Sequence, residues 1–341
     1  MKQNMKRFLK KILFKTSPTY RKLENLDRDI KNVRVEIQKQ QVEIQKQANI
    51  SNKNKKEIIK KIKTETTHLQ YSLLYELDDK QGVTDVKRNP MLIVSLTTIP
   101  SRIDQVHLVI ESIFMQSVKP DMVLLYLDDE NFNINEIPYK LLKQQEKGLT
   151  ICFCGNLYAY KKLIPALQKF PNEIIVTADD DVLYPIEWLE RLYSSYQIEP
   201  SSIHAHRARQ MKFAQNGRLQ QYSKWDIIKG DHPSSLKVFP TGVGGVLYFP
   251  GCFDDDILNE NLIIELCPTA DDIWFKAMSL KKGIKCKKAS GDVCDRIIEL
   301  NKSQEKALWH ANLLNGQNDE QIKKVFDYYN LYSILNTNSE N

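Results

Sequence analysis

At 341 residues the chain is too long for one minimal domain and too short for three full ones. Its net charge of +6 is unevenly spread: residues 1–88 hold 22 Lys/Arg against 11 Asp/Glu, and the remainder carries a net −5. A basic arm joined to a mildly acidic body is the organisation this implies.

The arm begins with eight Lys/Arg and no acid in residues 1–22. Within KRFLKKILFK, Phe8, Leu9, Ile12 and Leu13 share a helical face flanked by Lys10, Lys11 and Lys15. That is the pattern of an interfacial helix on anionic lipid, with a solvated terminus or a nucleic-acid-binding tail as the competing readings. Leu23, Leu26, Ile30, Val33, Ile37 and Ile44 then recur at 3-4-3-4-7 spacing, and a shifted register resumes at Ile59, Ile62, Thr66, Leu69 and Leu73. No glycine precedes Gly82, and no proline lies between Pro18 and Pro90. The spacing predicts a long helix that buries its stripe in a coiled coil with a second copy, or on the chain's own body. No chemistry is expected of it.

No window approaches 18 uninterrupted apolar residues, and the N-terminus lacks a signal-peptide core. A cytoplasmic protein, at most peripheral at the inner face of the cell membrane, is the expectation. The six cysteines show no CxxC spacing. Reduced structural thiols are expected of them, with zinc the alternative.

After GVTDVKRNP the pattern changes. MLIVSL, MVLLYLDD, LTICFCG and IIVTADDD read as strands. Helical patterns fall around 103–116, in KKLIPALQKF with Pro165 as an interruption, and in IEWLERLYSSY. This alternation implies an α/β body whose mostly parallel sheet is covered by helices on both faces. Ligands in such sheets gather beyond the carboxyl ends of the strands. The polar groups there are 97–102, Asp128 with Asp129, and Asp179, Asp180 and Asp181.

Three consecutive carboxylates exceed the needs of helix capping, for which one side-chain oxygen suffices. Hard oxygen ligands suit Mn²⁺ or Mg²⁺, which take the rest of their shell from water and phosphate. Such an ion would bridge to a diphosphate, with Arg102 and Lys161 or Lys162 in reach of its oxygens. GxxxxGK[ST] and GxGxxG are both absent, which excludes a P-loop and a dinucleotide fingerprint.

FPTGVGGVLYFP carries Gly242, Gly244 and Gly245, either for close approach to a ligand or for a bulge. PTADDIWFKAM sets Asp271 and Asp272 at a helix start, where the dipole favours acids with or without catalysis and would keep a general base ionised. In IHAHRAR, His204 and His206 share a face and are too few for a metal site. Arg207 reads equally as a phosphate or acceptor contact and as half of a structural ion pair.

Residues 90–288 resemble the GT-A-fold glycosyltransferases, and are similar to the large inverting family 2-like group that includes bacterial surface-polysaccharide enzymes. SLTTIPSR, TADDDVLYP and PTADDIWFKAM carry the resemblance by their order and separation. It implies a Rossmann-like GT-A domain over 89–300, between a helical arm at 1–88 and a helical tail at 301–341. It also implies transfer of a sugar from a nucleotide-sugar donor, a UDP-sugar first, to a hydroxyl of a glycan or lipid-linked acceptor, with Mn²⁺ or Mg²⁺ and no nucleic acid.

By the same resemblance Thr97, Pro100, Arg102 and Asp128 would hold the base and Lys161 the nucleotide. Asp179 would face the ribose, and Asp180 would bind the metal with Asp181 as a second candidate. Gly244 and Gly245 would lie beside the donor sugar. Asp272, next to Asp271, would be the general base, Trp274 and Arg207 would meet the acceptor, and His310 would reach the metal. For Trp274, burial in the core is the competing reading and the commoner fate of a tryptophan. A nucleotidyltransferase on a related sheet, or a coiled-coil scaffold with an inactive body, are the rival readings.

Overall fold

The computed structural model describes residues 35–36, 38–39, 52–77, 80–300 and 316–337. The amphipathic segment of Phe8 to Leu13, the heptads from Leu23 to Val33, Ile37, Ile44 and His310 lie outside the described residues. The chain divides into two compact units, Met1–Glu65 and Thr66–Asn341.

Helix α1 (Asn52–Leu77) contains the expected second register. Of that stripe, Ile59 and Leu69 are exposed. The division between units falls within α1, so the boundary read from sequence at residue 88 lies inside the second unit. No described helix is long and apolar enough to cross a membrane.

In the second unit the end of α1 is docked through aromatics. Tyr71 Oη donates to the Tyr184 carbonyl at 3.3 Å. Tyr75 is buried, with its ring 5.2 Å from that of His107 in an edge-to-face arrangement. Gly82 follows so close to Phe114 that a Cβ would meet the ring at 2.0 Å. Truncating a buried aromatic removes its transfer free energy and leaves a cavity. Tyr75→Ala is therefore expected to cost about 3 kcal/mol of folding stability. An unchanged urea midpoint would mean that this helix end is not docked.

The sheet core is built from strands β1 (Leu92–Thr97), β2 (Met122–Asp128), β3 (Leu149–Cys154) and β4 (Ile174–Thr177), paired in parallel in the order β3-β2-β1-β4. Continuous apolar runs suit strands covered on both faces, and period-2 alternation sorts their side chains into two layers. Leu92, Val94, Leu96, Val123 and Leu125 point into one core, with helices α2 (Val106–Phe114) and α3 (Tyr139–Gln145) contributing Val109, Ile113 and Leu141. Ile93, Leu124, Tyr126 and Ile175 point into the other, together with Ile164 of α4 (Ile164–Lys169). Pro165 lies in the first turn of α4, where its missing N–H costs nothing. It begins the helix and does not interrupt it, because the preceding Tyr158–Lys162 is a separate 3₁₀ turn.

The chain continues through β5 (Val182–Leu183), α5 (Trp188–Ile198), β6 (Ile203–Ala205), β7 (Ala208–Gln210), β8 (Asp226–Ile227), β9 (Val238–Pro240) and β10 (Val246–Tyr248). Helices α6 (Glu260–Leu266) and α7 (Asp271–Lys281) follow, then β11 (Cys286–Lys288) and β12 (Ile298–Glu299). Strand β10 pairs antiparallel with both β4 and β6, and β11 runs parallel to β6, giving a seven-stranded sheet in the order β11-β6-β10-β4-β1-β2-β3. The expected α/β class, a mostly parallel sheet with helices on both faces, is therefore present. Strands β8, β7 and β9 form a separate small sheet. Helices α8 (Gln317–Tyr328) and α9 (Leu331–Thr337) bury Val325, Phe326, Leu331 and Leu335 in the same core as Ile273 and Trp274 of α7.

Candidate functional site

The carboxyl ends of β1, β2 and β4 and the start of α7 bring the acidic motifs together. β1 runs into Thr98 and a 3₁₀ turn, Pro100–Arg102. From that turn Arg102 Nη1 donates to Asp180 Oδ1 at 2.7 Å and lies 3.1 Å from Asp181 Oδ2. Thr98 Oγ1 donates to the other Asp180 oxygen at 2.6 Å. Asp180 and Asp181 are both buried, and their carboxylates converge on one cationic nitrogen. Two like charges tolerate burial this close only when donors answer them.

The acidic loop is braced from behind. The backbone N–H of Asp179 donates to Tyr184 Oη at 2.7 Å, and the Tyr184 ring rests 4.2 Å from that of Trp188. Trp188 Nε1 donates to the Gly244 carbonyl at 2.5 Å. Gly244 and Gly245 have φ of +97° and +95°, and a Cβ on Gly245 would lie 2.7 Å from the Trp188 indole. Left-handed backbone against an indole leaves room for glycine alone.

Lys162 joins the two acidic motifs. Its Nζ lies 3.3 Å from Asp179 Oδ1 and 3.1 Å from Asp271 Oδ2. Burial works against its charge, but Asp271, Asp179 and Asp272 outweigh that and hold its pKa well above the usual lysine value. Asp272 accepts the Gly242 N–H on both oxygens at 2.9 Å, and a Cβ on Gly242 would sit 3.0 Å from one of them.

Burial pushes Asp272 up to about 7, with the neighbouring Asp271 charge adding to it against the opposing pull of Lys162 and the Gly242 N–H. The helix dipole was expected to keep this acid fully ionised. Desolvation and a like charge prevail because the dipole is worth at most about 2 kcal/mol. Burial raises the Asp179 carboxyl as well.

Asp128, at the end of β2, pairs with Lys161 and accepts from the Asn131 backbone and side chain at 2.9 and 2.6 Å. Burial opposes its ionisation, but Lys161 and Asn131 overcome that and hold its carboxyl below the usual range. The two lysines read as alternatives therefore divide: Lys161 serves Asp128, and Lys162 serves Asp179 with Asp271.

Other expected site residues fall elsewhere. Thr97 Oγ1 donates to the Tyr126 carbonyl at 2.8 Å, while its neighbour Thr98 reaches the acids. Pro100 is exposed at the turn. Arg207 Nη1 donates to Thr241 Oγ1 at 3.1 Å. Trp274 follows its competing reading and corrects the acceptor role: it is fully buried, with Nε1 donating to the Ile257 carbonyl at 3.2 Å, so its face is unavailable to an acceptor sugar. His204 is held between Ser195 Oγ and the Glu199 carbonyl, at 2.8 and 2.9 Å. His206 meets the Trp188 carbonyl at 2.8 Å, and burial lowers its pKa to about 4. Both are structural histidines. Thr98 and Tyr184 were missed, although alternation along β1 distinguishes the two threonines.

Among the described residues no three His, Cys, Asp or Glu side chains gather as a metal shell. A magnesium- or manganese-type ion usually needs only one or two carboxylates, with water and phosphate completing its coordination. Asp180 and Asp181 fit that requirement, since they already point at one positive centre.

No protein-family profile and no curated protein matches the chain. Among solved structures it is similar to S. aureus TarS 1-349, at 17% identity and a TM-score of 0.39, over 58% of this chain and 57% of that one. It is also similar to the mannosyltransferase PcManGT from Pyrobaculum calidifontis in complex with GDP-Man and Mn²⁺, at 14% identity and a TM-score of 0.43, over 81% and 79% of the two chains. A third, 4-diphosphocytidyl-2C-methyl-D-erythritol synthase, matches at 12% identity and a TM-score of 0.39, over 64% and 96%. Likeness at this level identifies no activity. The functional case rests on the side chains.

Proposed function

We propose that the chain is a glycosyltransferase that moves a sugar from a nucleotide-sugar donor to a hydroxyl of a glycan or lipid-linked acceptor, with inversion. The observation that carries this reading is Asp272. It is a half-buried carboxylate raised to about 7 and held by the Gly242 N–H, and its neighbour Asp271 is linked through Lys162 to the acidic loop at Asp179. A general base works best with its pKa near the operating pH. Asp272 would take the proton from the attacking hydroxyl. Lys162 and Arg102 would meet negative charge on the departing nucleoside diphosphate, a stabilisation that fixed donors supply without reorganisation.

Asp180 and Asp181 would hold Mn²⁺ or Mg²⁺, which would add positive charge beside the same diphosphate. Asp128, with Lys161, would form the edge of the pocket for the base, a UDP-sugar being the first donor to try. Arg207, beside Thr241, stays a candidate for the acceptor side. Residues 1–88 would position the enzyme, and the helical tail at 301–341 would be anchored on the body through α8 and α9.

The test is a panel of nucleotide sugars incubated with the protein and Mn²⁺. Release of nucleoside diphosphate that disappears in Asp272→Asn supports the reading. Release of pyrophosphate from a nucleoside triphosphate plus a sugar phosphate would make the chain a nucleotidyltransferase instead.

The basic N-terminus adds a separate expectation. Deleting residues 1–22 is expected to abolish most binding to anionic vesicles, and raised salt should weaken binding of the full chain because the Lys/Arg attraction is screened. Equal vesicle binding with and without those residues would remove the membrane role.

A further inference from the structure

Arg102 faces both of the carboxylates proposed above to hold a cation. One nitrogen, Nη1, lies 2.7 Å from Asp180 and 3.1 Å from Asp181, and Thr98 fixes the remaining Asp180 oxygen. The guanidinium stands on a short turn, Pro100–Arg102, that begins two residues after Thr98 leaves the end of β1. Its side chain is 21% exposed, whereas those of the two aspartates are each 9% exposed. The pair is thus shielded from solvent on the acid side and open on the arginine side.

We infer that Arg102 is a built-in competitor for the divalent cation: it neutralises Asp180 and Asp181 in the free protein and must release them before a metal ion binds. This rests on the donor-site reading above and deepens it. A protein whose binding-competent form is a minor fraction shows an affinity reduced by that fraction. Arg102 paired for all but a tenth to a hundredth of the time would therefore weaken metal binding by about 10–100-fold.

A nucleoside diphosphate changes that balance. Its phosphate oxygens offer the guanidinium a replacement partner with matching fork geometry. Each ligand then relieves a cost the other would bear, so cation and diphosphate raise each other's affinity by the same factor. The device would keep the acids from trapping stray cations until a donor arrives. Lys162 is placed differently, between Asp179 and Asp271, and does not share this role.

The experiment measures Mn²⁺ binding to the full chain by electron paramagnetic resonance, with thermal melts confirming that each variant is folded. Turnover of nucleotide sugars is assayed separately, so failure of the transferase reading and failure of this inference are distinguishable. Arg102→Gln is expected to bind Mn²⁺ about 10–100-fold more tightly than wild type without nucleotide. Arg102→Lys keeps the charge and should gain less. Uridine diphosphate should tighten Mn²⁺ binding to the wild type by a similar factor, and far less in Arg102→Gln. Mn²⁺ affinity unchanged or weakened in Arg102→Gln would overturn the inference. So would an equal gain in Arg102→Lys, because charge would then not be what competes.

Discussion

Asp180→Asn is expected to lower Mn²⁺-supported binding of a nucleoside diphosphate by about 10²-fold and to reduce sugar transfer below detection. The asparagine oxygen can still accept the Thr98 hydroxyl, so the loop keeps that tie, but one of the two charges facing Arg102 is gone. Outer-shell partners of metal ligands typically cost about 10–100-fold when removed, and loss of a ligand itself belongs at the top of that range or beyond. Asp181 alone would remain opposite Arg102. Calorimetric titration of uridine diphosphate with and without Mn²⁺ reads the effect, and a melting curve separates it from misfolding. Wild-type affinity in the variant would remove Asp180 from the donor site.

The body of the fold was legible because its strands are continuous apolar runs of the right length. LIVSLT and MVLLYLD are β1 and β2, and the acids that follow β4 lie beyond the carboxyl end of the sheet as parallel topology requires. The acidic loop and the start of α7 were both recognised. Their connection through Lys162 was not, because a lysine's partner depends on which side of a 3₁₀ turn it leaves from. The pairing of Arg102 with Asp180 and Asp181 was equally hidden, since sequence suggested a phosphate contact and not a clamp on two carboxylates. The short strands β6, β9 and β10 carry three residues each, too few for periodicity to register. Trp274 packs inward, as the general tendency of tryptophan to be buried favours over a sugar contact.

Replacing Asp272 by Asn is expected to lower kcat by about 10²–10⁴-fold while leaving donor affinity nearly unchanged, the pattern of a lost proton acceptor. The geometry allows this separation. The Asn oxygen can keep a hydrogen bond from the Gly242 N–H, and Lys162 retains Asp179 and Asp271. In the wild type, kcat should rise with pH through about 7, where Asp272 loses its proton, and that rise should vanish in the variant.

Stability gives an independent check with a definite sign. The folded-state pKa lies above the ordinary carboxylate value, so between the two the folded chain binds more protons than the unfolded one. Stability contributed by the protonated acid is full below that window and is lost as pH rises through about 7. Asn carries no such titration, so the variant should gain stability relative to wild type as pH climbs from 5 to 8. A melting difference that stays flat over that range would show that Asp272 is ionised throughout. The case for it as a base tuned by burial would then fall, even if its removal still slowed transfer.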